Sequence, residues 1–149
     1  MSKTSTNKND ILLEVKNLQV FFPIHGGVFQ RKVGEVKAVD GISFNIMRGE
    51  TLGLVGESGC GKTTVGRAII NILRHVSPDV HIGGSVVYRD KNGKETDLVN
   101  LSTKDMRAYR SKIQMIFQDP YSSLNSRLSV KQIVAEPIEL HKPEMSKKE

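Results

Sequence analysis

Residues 56–63 read Gly56-Glu57-Ser58-Gly59-Cys60-Gly61-Lys62-Thr63, which meets the pattern G-x-x-x-x-G-K-[ST] at every fixed position. Each residue type has a task in holding a phosphate chain. The three glycines permit a backbone that wraps an anion with successive N–H groups turned inward. A helix beginning near Lys62 directs the positive end of its dipole at the same point. The Lys62 ammonium is expected to reach the terminal phosphates, the Thr63 hydroxyl to ligate a magnesium ion, and Thr64 to add a hydroxyl contact. The spacing therefore predicts nucleotide phosphate binding.

Such a loop must be held by a strand before it and a helix after it. Residues 51–55 (TLGLV) form a short apolar run bounded by glycine, which predicts a buried strand. Val65, Ala68, Ile69, Ile72 and Leu73 recur at helical spacing, which predicts a helix over residues 62–73 ended by Ser77-Pro78-Asp79. Upstream, residues 11–22 alternate loosely with a wobble near Asn17, and residues 36–46 read as a second strand with Asp40-Gly41 as a turn or bulge. Residues 23–34, glycine-rich around Phe29, read as a loop or irregular hairpin, and residues 47–49 as a turn.

Downstream, Asn92-Gly93 marks a hairpin between strands over residues 85–88 and 97–101. Ser102 followed by Asp105 resembles a capping box, predicting a helix over residues 103–111. Residues 113–117 (IQMIF) read as another buried strand. Ser129 is placed to cap a helix over residues 130–136, which Pro137 interrupts or kinks. Residues 1–10 are polar and predict a short disordered leader, leaving residues 11–149 as part of a single domain.

Composition narrows the function classes. The net charge of +6 is spread over scattered lysines and arginines without a long basic run or an interleaved aromatic stripe, so no nucleic-acid partner is expected. A single cysteine excludes an internal disulfide framework. No apolar run approaches the roughly 20 residues of a membrane helix. His25, His75, His81 and His141 lack metal-ligand spacing, and Cys60 has no histidine partner nominated for nucleophilic chemistry.

The glycine loop alone does not choose among kinases, GTPases and ATPases. Residues 55–64 (VGESGCGKTT) followed by residues 113–127 (IQMIFQDPYSSLNSR) resemble the ATP-binding subunits of ABC transporters. The likeness is to the oligopeptide and dipeptide importer subfamily and its nickel-importing relatives. Residues 18–24 (LQVFFPI), 36–44 (VKAVDGISF), 49–59 (GETLGLVGESG) and 135–138 (AEPI) resemble the same subfamily. The resemblance implies an α/β fold of the P-loop NTPase class in its ABC ATPase form. Its parts would be an antiparallel β-subdomain, an incomplete parallel core sheet and the start of a helical subdomain.

It also implies roles. Gly56, Glu57, Ser58, Gly59, Cys60, Gly61, Lys62, Thr63 and Thr64 would line ATP, with Thr63 and Gln118 on Mg2+ and with Lys62 and Gln118 as the catalytic pair. A glutamine amide at 118 offers a donor and an acceptor without a charge that repels phosphate. Phe22 aligns with the aromatic that stacks on adenine, and Phe21 is the neighbouring alternative. Glu57 and Asp119 do not stand where the family has a general base, and Ser126 replaces a usual proline. Implied partners are membrane-spanning permease subunits, a second ATP-binding subunit in a homo- or heterodimer, and indirectly a substrate-binding protein. The implied location is peripheral, on the cytoplasmic face of the membrane.

The family's signature motif and its apolar strand ending in Asp-Glu have no counterpart in these residues; neither Leu101-Ser102 nor Leu128-Ser129 leads into a signature. The chain therefore resembles the front part of such a subunit, truncated before both motifs. The alternative reading is a nucleotide-binding fragment without turnover.

Overall fold

The computed structural model describes residues 10–118 and 124–141. Two strands open the chain, β1 (Ile11–Gly26) and β2 (Arg31–Met47). They are followed by α1 (Lys62–Ile69), α2 (Leu73–Val76), β3 (His81–Arg89), β4 (Glu95–Asp97), α3 (Thr103–Arg110) and α4 (Val130–His141). The chain divides into two compact units, Met1–Arg107 and Ala108–Glu149.

The first unit is built on a four-stranded sheet in the order β2-β1-β3-β4. Every pairing in it is antiparallel. Alternation along β1 sends Ile11, Leu13 and Val15 inward, and after a register shift Leu18 and Val20 do the same. The shift is the expected wobble. Asn17 has a positive φ of 47° there and its N–H donates to Ser43 Oγ at 2.8 Å. On the other side of β1, Gly84 (φ 80°) faces this bulge, and a Cβ on it would collide with the carbonyl oxygens of Lys16 and Asn17. Only glycine lets β3 pass so close. Val86, Leu98, Val99 and Met106 close this core, with Val65 and Ala68 of α1 and Leu73 of α2 also buried.

Polar groups tie these layers together. Asn71, buried between α1 and α2, donates its amide to the carbonyls of Leu98 at 2.8 Å and Leu101 at 3.1 Å. Arg89, also buried, pairs with Glu14 at 2.9 Å and Glu95 at 2.8 Å. Its Nη1 has no hydrogen-bond partner. Glu14 takes a second cation, Lys16, at 3.1 Å.

Several elements differ from expectation. Residues 51–55 and 113–117 are not strands; the apolar side chains of the first are exposed, Val55 by 90%, and in the second Ile113 and Met115 are half-buried while Ile116 is 94% exposed. A buried strand needs hydrogen-bonded neighbours at its edges. Neither segment has a paired strand among the described residues, whose sheet contains no parallel pair. The expected helix over residues 62–73 stops at Ile69. Asn71 enters the left-handed region at φ 52°, and α2 starts afresh at Leu73.

Residues 23–34 form a true hairpin, with β1 running to Gly26 and the turn closed by Gln30 N–H donating to the Gly27 carbonyl at 3.2 Å. The bulge at Asp40-Gly41 is present, Gly41 being passed over between Gln19↔Asp40 and Leu18↔Ile42. The Asn92-Gly93 hairpin forms, with β3 beginning earlier than expected and β4 reduced to Glu95–Asp97. Ser102 caps α3 by accepting from Asp105 N–H at 3.2 Å.

In the second unit Ser129 Oγ accepts from Gln132 N–H at 3.3 Å, and Gln132 Oε1 accepts from Ser129 N–H at 2.8 Å. That reciprocal pair starts α4. The helix runs through Pro137 to His141 rather than ending there. Pro137 therefore removes one internal hydrogen bond without terminating the helix. The expected leader, residues 1–9 of it, and Asp119 lie outside the described residues.

Candidate phosphate-binding site

The glycine loop occupies the bend between residue 56 and the head of α1. Cys60 N–H donates to the Glu57 carbonyl at 3.3 Å, turning the chain, and Gly61 (φ 93°) stands at the helix N-cap in the left-handed region. The first helical bond runs from Val65 N–H to the Gly61 carbonyl at 2.9 Å. The N–H groups of Lys62, Thr63 and Thr64 thus precede Val65, the first intrahelical donor, and no side chain caps the helix. A helix start with uncapped donors and no acidic residue in its first turn is prepared for an anion.

The Lys62 side chain folds back over the loop. Its ammonium donates to the carbonyls of Gly56 at 2.9 Å and Glu57 at 2.6 Å, and lies 3.5 Å from Cys60 Sγ. A cation, a ring of glycine backbone and a helix N-terminus are therefore collected in one place. Thr63 is exposed on the first turn and Thr64 half-buried. Cys60 is a free, exposed thiol. Among the described residues no group of three or more His, Cys, Asp or Glu is arranged to hold a metal.

The loop is braced from behind by β2. A Cβ on Gly61 would collide with the Ala38 carbonyl oxygen and lie 3.7 Å from Val39 Cγ2. Ala38 is the residue passed over where Val20↔Val39 gives way to Phe21↔Lys37, so a bulge turns its carbonyl toward the loop. Sequence reasoning missed Ala38. Its contribution is a backbone oxygen, which leaves no mark on residue type.

The same register separates the two phenylalanines. Val20 is buried opposite Val39, which lies beside the loop, and Phe22, two residues on, shares that face, half-buried opposite Val36. Phe21 points the other way, its ring 5.2 Å from the Lys37 ammonium and 5.8 Å from the His81 ring. Gln118 is exposed at a bend in the second unit.

The chain is similar in sequence to known transport ATP-binding proteins. The oligopeptide transport ATP-binding protein AppF of Bacillus subtilis is 45% identical over 139 residues, spanning 93% of this chain and 39% of that protein. The oligopeptide transport ATP-binding protein OppF of Escherichia coli is 43% identical over 146 residues, 97% of this chain and 40% of its own length. The putative oligopeptide transport ATP-binding protein YkfD of B. subtilis is 47% identical over 130 residues, 87% of this chain and 34% of its own length. The chain thus spans about two fifths of the length of the first two of these relatives. Residues 39–148, from the strand that braces the loop onward, match the ABC transporter family, and the chain belongs to that family.

Proposed function

We propose that this chain supplies the phosphate-loop side of an ATP site in the ATP-binding subunit of an ABC importer for oligopeptides or dipeptides. The observation that carries the reading is the Lys62 ammonium held by the Gly56 and Glu57 carbonyls beneath an uncapped helix start. An arriving triphosphate would replace those two carbonyls as partners of Lys62. The N–H groups at the head of α1 and the glycine backbone would take the remaining phosphate oxygens. Thr63 would hold Mg2+, and the family resemblance makes Gln118 the proposed further ligand. Phe22, on the loop's own face of β1, would stack on adenine.

MgATP, when bound, supplies the phosphoanhydride whose cleavage drives transport. This chain's residues bind and orient it. The sequence has no apolar run ending in Asp-Glu to polarise water, so this chain alone is expected to bind ATP without turnover. The apolar segments 51–55 and 113–117 would become strands of a parallel core sheet when further strands lie beside them. No described helix is long and apolar enough to cross a membrane. Permease subunits and a second ATP-binding subunit at the cytoplasmic face are the proposed partners, and the peptide cargo rests on what the relatives are named for.

The test is equilibrium titration of the 149-residue chain with a fluorescent ATP analogue and Mg2+, beside Lys62→Ala. Saturable binding competed by ATP and lost in the variant is expected. Equal affinity in both proteins would overturn the loop assignment, and phosphate release above the buffer rate would overturn the reading of binding without turnover.

A further inference from the structure

The β1–β2 hairpin outruns the rest of its sheet. Pairing of β1 with β3 ends at Phe21↔His81, whereas pairing with β2 continues through Phe22↔Val36 and Ile24↔Gly34 to Gly26↔Arg31. Among the described residues the distal part is thus a two-stranded ribbon with no third strand beside it. Apolar side chains crowd its end: Val28 is 95% and Phe29 83% exposed in the turn, and Ile24, Val33 and Val36 are exposed behind them.

A tip of this kind is costly to leave in water and marks an interaction surface. Its charge identifies the partner. Residues 23–34 contain no Asp or Glu but include Arg31 and Lys32. The Arg31 guanidinium lies 5.8 Å from the Phe29 ring centre, and Lys32 pairs at 2.8 Å with Glu35, the first carboxylate behind the tip. An apolar point with the Arg31 cation beside it and no acid among residues 23–34 fits the boundary between acyl chains and anionic headgroups. We propose that this hairpin tip docks on an anionic lipid surface, with Val28 and Phe29 entering the headgroup layer and Arg31 at the phosphates. The proposal does not depend on the nucleotide site.

The chain has no tryptophan, so Phe29→Trp places a single reporter at the tip. With vesicles of phosphatidylcholine and phosphatidylglycerol its emission should move to shorter wavelength and be quenched by brominated acyl chains. Neutral phosphatidylcholine vesicles should bind more weakly. Adding Arg31→Gln should lower the partition coefficient about fivefold, the effect of roughly one cation near an anionic surface. A control Lys91→Trp, at the distant Asn92-Gly93 turn, should not shift.

No shift for the tip reporter would overturn the proposal, and so would equal shifts at both positions, which indicate general adsorption. A lipid-independent shift that grows with protein concentration would assign the tip to a second copy of the chain instead.

Discussion

Gly61, at the head of α1, stands so close to the Ala38 carbonyl oxygen of β2 that no side chain fits between them. One backbone approach therefore fixes the phosphate loop to the strand whose neighbour carries Phe22. It joins the phosphate end of the proposed ATP site to its adenine end.

Gly61→Ala meets both that collision and a left-handed φ of 93°, whereas Gly59→Ala meets only φ 84° with open space around its Cβ. Left-handed strain alone costs about 1–2 kcal/mol. Gly59→Ala should therefore lower stability by that amount or less, its loop being exposed. Gly61→Ala should cost more and also displace the head of α1, weakening nucleotide binding beyond what its melting point accounts for. Thermal melts and nucleotide titrations of the two variants decide this; equal effects would mean that Ala38 does not brace the loop.

The two phenylalanines make a sharper contrast. Phe22→Ala should weaken ATP binding by about 1–3 kcal/mol, the usual worth of a base stacked on an aromatic ring. Inorganic triphosphate, which has no base, should bind that variant as it binds the original. Phe21→Ala removes a ring already engaged with Lys37 and His81 and should leave ATP affinity in place. Competition titrations with ATP and triphosphate would show a reversed pattern if adenine lay on the other face.

Acid should loosen the sheet through Glu14. Its hydrogen bond from Lys16, and then that from Arg89, hold its carboxyl below the ordinary value of 4.5, against the opposing effect of burial. Because the folded state holds the proton less tightly than the unfolded one, this stabilisation is complete above about pH 4.5 and is lost as pH falls through the folded value. Urea melts over a falling pH series should show a decline in stability that Glu14→Gln flattens. An unchanged slope in the variant would remove Glu14 from the account.

How far the sequence announced all this depends on what each feature is made of. The glycine turn leading into α1 was legible because its glycines and Lys62 are required by type and spacing, and the Asn92-Gly93 hairpin for the same reason. Residues 51–55 and 113–117 carry a strand's composition, yet a strand exists only when paired, and no partner strand for them occurs among the described residues. The bulge at Ala38 and the break after Ile69 are set by backbone geometry in three dimensions, which residue type scarcely records. The length of the β1–β2 hairpin was hidden because its glycines and Pro23 read as loop chemistry.

That break after Ile69 leads to the last prediction. Asn71 interrupts the helix at φ 52°, a conformation asparagine tolerates, and turns a buried amide onto the Leu98 and Leu101 carbonyls. Asn71→Ala would strand both acceptors and strain the backbone, a loss of about 2–4 kcal/mol. Asn71→Gly would relieve the strain but still strand the acceptors, so it should lie between the original and alanine. Asn71→Asp keeps the shape and replaces the donor with a carboxylate facing two carbonyl oxygens, so it should be the worst of the three near neutral pH and recover on acidification. Denaturant melts of the series test the order; a glycine variant as stable as the original would show that the amide bonds contribute nothing and that backbone conformation alone places the break.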